Sequence, residues 1–235
     1  MENFTTTFGN SVADAAPVER AAFIRKTYLL LAAAILGFVG IEAMLFVSGV
    51  AGLILQVFSA GGRLGWIAVL VGFMGISWLA NRWAMSDTSS TTQLFGLLVY
   101  VVAEAVIFVP LIGIAVYYSD PSVLIKAGIV TIGLFLGLTF TVFITRTDFS
   151  FLWSILAVGG AVALGFIVSS AIFGFSIGSI FAFIMVAFAG SAILYQTSQV
   201  LHQFNTKQHV AASLALFASI ALLFWYILSI FSSRR

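Results

Sequence analysis

The chain has 235 residues, 62% of them hydrophobic and only 8% charged, with a formal net charge of +2. A water-soluble domain carries about a quarter charged residues, so this composition cannot supply a water-facing surface and belongs in a bilayer. The absence of cysteine excludes disulfide frameworks, thiolate zinc sites and cysteine nucleophiles.

Along the chain, the opening stretch MENFTTTFGNSVADAAPVER is polar and mildly acidic. It lacks the basic start, short apolar core and small-residue cleavage site of a signal peptide. Residues 1–24 are therefore read as a solvent-exposed cytoplasmic tail, followed by a single transmembrane domain over 25–235. A membrane-crossing helix needs about 20 mostly apolar residues with its backbone polar groups paired internally. Seven runs qualify, at 26–47, 64–83, 92–118, 122–145, 149–173, 177–203 and 209–232. The breaks between them, SAGGR, SDTSS, SDP, TRTD, GFS and NTKQ, are rich in the residues that punctuate helices. Residues 48–56 are apolar but too short to cross, and are expected to extend the first helix or lie in the interface.

Basic residues near helix ends set the orientation. With the N-terminus inside, Arg20, Arg25, Lys26, Arg82, Arg146 and Lys207 are cytoplasmic, against Arg63, Lys126, Arg234 and Arg235 outside, six to four. The C-terminus then lies outside. Within the spans, Glu42 and Lys126 both fall near the outer hydrocarbon boundary and are expected to pair, because a buried charge needs a partner. Glu104 is the one carboxylate near the bilayer centre. Facing lipid there would cost it at least about 2.5 kcal/mol, so it is expected to point inward, sharing its environment with Tyr100 one turn earlier. Thr147 or Asp148 is placed to cap the fifth helix. The small-xxx-small pair Gly133 and Gly137 is expected to mark a helix contact within the chain rather than a dimer seam.

Several functions drop out. The last helix has no lysine for a retinal Schiff base. Ser191 and His202 share one helix, about 16 Å apart along the axis, too far for a serine nucleophile and its base. His202 and His209, without an acidic cluster, do not make a zinc site. Pro110 breaks the third span with no counterpart in the sixth, so an inverted-repeat transporter is unsupported. No enzyme activity, cofactor, metal site or nucleic-acid partner is expected.

The stretch ILYQTSQVLH at 193–202, followed by a short loop and AASLALFASIALLFWYILSI, resembles the signature of the Bax inhibitor 1 family. RKTYLLLA at 25–32 and TRTDFSFL at 145–152 agree with it in place and order. The resemblance implies an all-α integral membrane fold of seven spans, the last one central and wrapped by the other six. It also implies a central polar site, here Gln196, Thr197, Ser198 and Ser219, and Glu104, at a similar depth by its spacing along its helix, is expected to belong to the same central region. A second group, Arg82, Arg146, Asp148 and His202, would sit on the cytoplasmic side. Several members are proposed to be pH-sensitive calcium leaks using an aspartate on each of the last two helices. Here those positions hold Gln196 and Ser219, and the usual asparagine of the last helix is replaced by Leu222. Calcium takes about 6 to 8 oxygen ligands, usually with carboxylate charge, and the neutral oxygens of 196–198 and 219 cannot titrate near neutral pH. One bacterial inner-membrane member restrains a membrane-anchored AAA protease and shares the serine and the polar tail. The resemblance thus implies two functions: a non-enzymatic membrane regulator acting through protein contacts, or a weakened calcium or cation leak.

Overall fold

A computed structural model describes residues 11–85, 89–120, 122–175 and 178–233, apart from the side chains of residues 63 and 64. Among these residues the chain forms eight helices: α1 Pro17–Val47, α2 Val50–Ala60, α3 Gly62–Ala84, α4 Ser90–Tyr118, α5 Ser122–Thr145, α6 Leu152–Phe173, α7 Ser179–His202 and α8 His209–Ser232. Seven are long and apolar enough to cross a membrane; α2 is not.

The apolar stretch after the first span does not extend it. Ser48 closes the last turn of α1 by donating its N–H to the Met44 carbonyl, and Gly49 then turns the chain at φ 78°. That left-handed conformation suits glycine, which has no Cβ to clash. The separate α2 packs against α1, α3 and α4. It buries Ala51 and Phe58 and leaves Leu53 and Val57 exposed, as a short helix on an apolar rim would.

With α2 failing to cross, the seven long helices alternate in direction. One end of the bundle carries residues 11–16 and the α3–α4, α5–α6 and α7–α8 connections; the other carries α2 and the C-terminal end of α8. Helix α8 is central and packs against α1, α3, α4, α5 and α7. Its buried Ala211, Ala212 and Ala221 let neighbouring backbones approach, which substitutes for the weak hydrophobic drive between helices in lipid. Helix α6 is the exception to the expected six-helix wrap, since its main contacts are with α7 and α3. In the core, the Phe108 ring on α4 meets Phe38 edge-on at 5.1 Å, stacks on Phe224 at 5.7 Å and meets Trp225 edge-on at 5.0 Å.

Two expectations need correction. Among the described residues nothing lies within 4 Å of a Cβ built on Gly133 or Gly137 of α5, so none of the eight helices packs into that small-residue face. The spacing predicts a surface that permits close approach, not one that is used. The N-terminal segment is also not a free tail through residue 24. Helix α1 begins at Pro17, and the residues before it dock on the α7–α8 loop. Val12 N–H donates to the Phe204 carbonyl at 2.9 Å, and Ser11 forms an isolated antiparallel bridge with Asn205. Ser11 Oγ donates to the His202 carbonyl at 2.9 Å, and Arg20 reaches the Leu201 carbonyl at 3.3 Å. The Val12 side chain is fully buried. Residues 1–10, Arg234 and Arg235 lie outside the described residues.

Candidate functional site

Two cavities enter the bundle from opposite ends and share Tyr100, Ala218 and Leu222 as a common wall. The first, of about 980 Å³, lies at the end that carries the α7–α8 loop. Gln196, Gln199 and Gln203 line it because steps of three and four residues return to the same face of a helix. Asn81, Gln208 and Ser219 add further amide and hydroxyl groups. Ser219 spends its own hydroxyl on the Ala215 carbonyl, 3.0 Å away on the same helix. Among the described residues Arg82 is the only charged lining residue, its guanidinium held 5.4 Å from the centroid of the Trp78 ring. These polar groups are set among apolar side chains such as Trp78, Trp153 and Leu214, and the charge the cavity carries is positive rather than negative.

Glu104 lies beyond the shared wall, in the second cavity, of about 580 Å³. It is only 7% exposed and accepts a hydrogen bond from Tyr100 Oη at 2.9 Å. The turn-to-turn spacing of 100 and 104 makes this contact local to α4. Glu104 therefore points into the bundle but does not join Gln196 and Ser219 in one chamber.

The remaining members of the expected central site point elsewhere. Consecutive helical residues diverge by about 100°, so Gln196, Thr197 and Ser198 cannot all face one axis. Thr197 is fully buried on the side of α1 and α5, where its hydroxyl faces those of Tyr28 and Thr139 without a direct hydrogen bond among the three. Ser198 turns to the α5–α6 loop. Its Oγ accepts from Phe149 N–H at 2.9 Å and donates to Asp148 Oδ1 at 3.3 Å.

Ser198 thus links Asp148 to His202, whose Nδ1 lies 3.0 Å from the Ser198 carbonyl and 3.5 Å from its Oγ. Asp148 Oδ1 also accepts from Ser150 N–H at 2.9 Å, which initiates the turn leading into α6. The helix proper starts at Leu152, and its N-cap Phe151 makes no side-chain cap. The expected cap therefore exists two residues on from Asp148 but serves the preceding turn, while Thr147 contributes none. Hydrogen bonds from the Ser150 backbone and side chain, then Ser198 and the His202 charge, hold the Asp148 carboxyl below the usual carboxylate range. The two arginines expected on the same side of the membrane do not join this group. Arg82 sits over Trp78, and Arg146 is exposed at the end of α5 in a left-handed conformation, φ 50°.

The expected pair of Glu42 and Lys126 does not form. Both Glu42 carboxyl oxygens are buried without a hydrogen-bond partner among the described residues, while Lys126 is exposed on α5. A lysine near a helix end gains more by extending its stem outward along apolar surface than by turning its ammonium into a dry interior. Residues that escaped the sequence reading as site members are Gln199, Gln203, Gln208 and Asn81. Their signal was present for α7, in the spacing of its three glutamines; Gln208 and Asn81 reach the cavity only through tertiary packing.

Seven apolar spans, a buried central helix and cavities walled by five of the spans define a polytopic helical membrane protein. The profile of the family described as "Inhibitor of apoptosis-promoting Bax1" matches residues 20–235, and the chain belongs to that family. Among its relatives, an uncharacterized protein of Pseudomonas aeruginosa is 30% identical over 171 residues, 69% of this chain and 72% of that one. Bax inhibitor 1 of Schizosaccharomyces pombe is 28% identical over 230 residues, 93% of this chain and 79% of that one. No solved structure matches the chain significantly.

Proposed function

We propose that this protein is a non-conducting membrane regulator of the Bax inhibitor 1 family, acting in a bacterial inner membrane through contacts with other membrane proteins. The observation that carries this is the charge of the larger cavity. Its lining includes Arg82 and no carboxylate among the described residues, and the two positions where the family resemblance implies the aspartates of a proposed leak hold Gln196 and Ser219. A cation entering that chamber meets a like charge and neutral oxygens, which do not replace the carboxylate-rich shell calcium prefers. The resemblance to the branch that restrains a membrane-anchored AAA protease supplies the kind of partner. Ser219 and the polar N-terminal segment support it, the latter as a segment docked through Ser11 and Val12 rather than a tail free to residue 24.

Co-reconstitution with a membrane-anchored AAA protease tests this partner class. Degradation of a membrane substrate is expected to slow several-fold when the protein is present, and to recover when residues 1–16 are deleted. An unchanged degradation rate with the full chain would refute protease modulation. A second reading, a pH-sensitive cation leak, is favoured by one observation: the two cavities meet back to back at Tyr100, with Glu104 just beyond.

A further inference from the structure

The second cavity has a chemistry of its own. Its volume of about 580 Å³ falls within the range of about 300–1,000 Å³ typical of small-molecule pockets. Trp66 from α3, Phe108 from α4, and Trp225 and Tyr226 from α8 form aromatic walls, and the single charged lining residue among those described is Glu104. Tyr100 is its one hydrogen-bond partner among the described residues, and no basic side chain there faces it. An ionisable group in the span of a membrane protein is retained at a cost, and a cavity meant for a lipid tail alone would be better lined without it.

We propose that this cavity binds a poorly hydrated organic cation, an amine or quaternary ammonium on a compact apolar body, with Glu104 as counter-charge and the aromatic walls around the cationic head. Aromatic faces attract such cations through the ring quadrupole, most strongly when water is excluded. A metal ion fits poorly. Calcium needs about 6 to 8 oxygens, and this cavity offers one carboxyl and the scattered hydroxyls of Tyr100, Tyr226 and Ser229. The site is separate from the glutamine-lined chamber, from which Tyr100, Ala218 and Leu222 divide it.

The test is calorimetric titration of the full chain in nanodiscs with benzyltrimethylammonium and with its neutral carbon analogue, neopentylbenzene, each corrected against empty nanodiscs. Wild type is expected to bind the cation more tightly than the neutral analogue. Glu104→Gln is expected to weaken the cation about tenfold or more, as loss of a counter-charge in a poorly solvated site does, while leaving the neutral analogue unchanged. Trp225→Leu, which keeps apolar bulk but removes an aromatic face, should weaken the cation selectively, and an excess of calcium should not displace it. Equal binding of the cation and the neutral analogue to wild type would overturn the proposal. So would Glu104→Gln, folded by circular dichroism, binding the cation like wild type, or displacement of the cation by calcium. Should Glu104→Gln not fold, the same comparison rests on Trp225→Leu, and unchanged cation binding there would overturn it.

Discussion

Gly96→Ala is expected to destabilise the bundle by about 1–3 kcal/mol, the usual range for overpacking a close contact. A Cβ at Gly96 would lie 2.9 Å from the Ala80 carbonyl oxygen and 3.0 Å from Trp83 Cβ. Ala80 and Ala84 on the facing turn of α3 are fully buried, so the clash is with backbone and the first side-chain atom, neither of which can rotate away. Only separation of α3 from α4 relieves it, and that would widen the wall carrying Arg82 and Tyr100. The intrinsic helix preference of alanine over glycine, up to about 1 kcal/mol, acts in the opposite direction and is the smaller effect. Gly133→Ala is the matched control, since nothing lies within 4 Å of its Cβ; it should be neutral or slightly stabilising. Thermal unfolding in detergent compares them, and a Gly96→Ala protein as stable as Gly133→Ala would contradict this packing.

Ser198→Ala should cost about 1–3 kcal/mol, the penalty for leaving a buried polar group without its partner. Ser198 is fully buried and its hydroxyl is the acceptor for Phe149 N–H, so alanine strands that amide and frees the α5–α6 loop from α7. The same substitution removes a donor to Asp148. Because the folded carboxyl is held below its ordinary value, the Asp148 contribution is present at neutral pH. It is lost as pH falls below the usual aspartate range of about 4 and through the lowered folded value. Asp148 is exposed, so that share is small and screened; most of the Ser198→Ala penalty should persist at low pH. Unfolding of both proteins at neutral and acidic pH checks this, and a penalty that vanishes on acidification would place the energy in Asp148 instead of the Phe149 amide.

The spans were legible because each is an apolar run of about 20 residues closed by breakers, and the inward placement of Glu104 followed from the cost of charge in lipid. The break at Gly49 was not, since a single glycine in an apolar run reads equally as helix or turn. Motif continuity misled at Thr197 and Ser198. A contiguous signature suggests one site, whereas helical rotation sends its members to three different neighbours. The docking of Ser11 and Val12 pairs them with residues more than 190 positions away, and no local pattern encodes such a contact. Gly96 and Gly133 differ for the same reason: a small residue shows that a backbone can approach, and only the fold decides whether one does.

The most direct test of the regulator reading is calcium flux into dye-loaded liposomes containing the purified protein, at neutral and at acidic pH. Wild type is expected to match empty liposomes at both, because the chamber lined by Arg82, Gln196 and Ser219 offers a cation no carboxylate. The double substitution Gln196→Asp with Ser219→Asp, which restores acids at the two positions, serves as the comparison and is expected to raise flux. Calcium entry through the wild-type protein clearly above empty liposomes, and dependent on pH, would contradict the account and establish the leak instead.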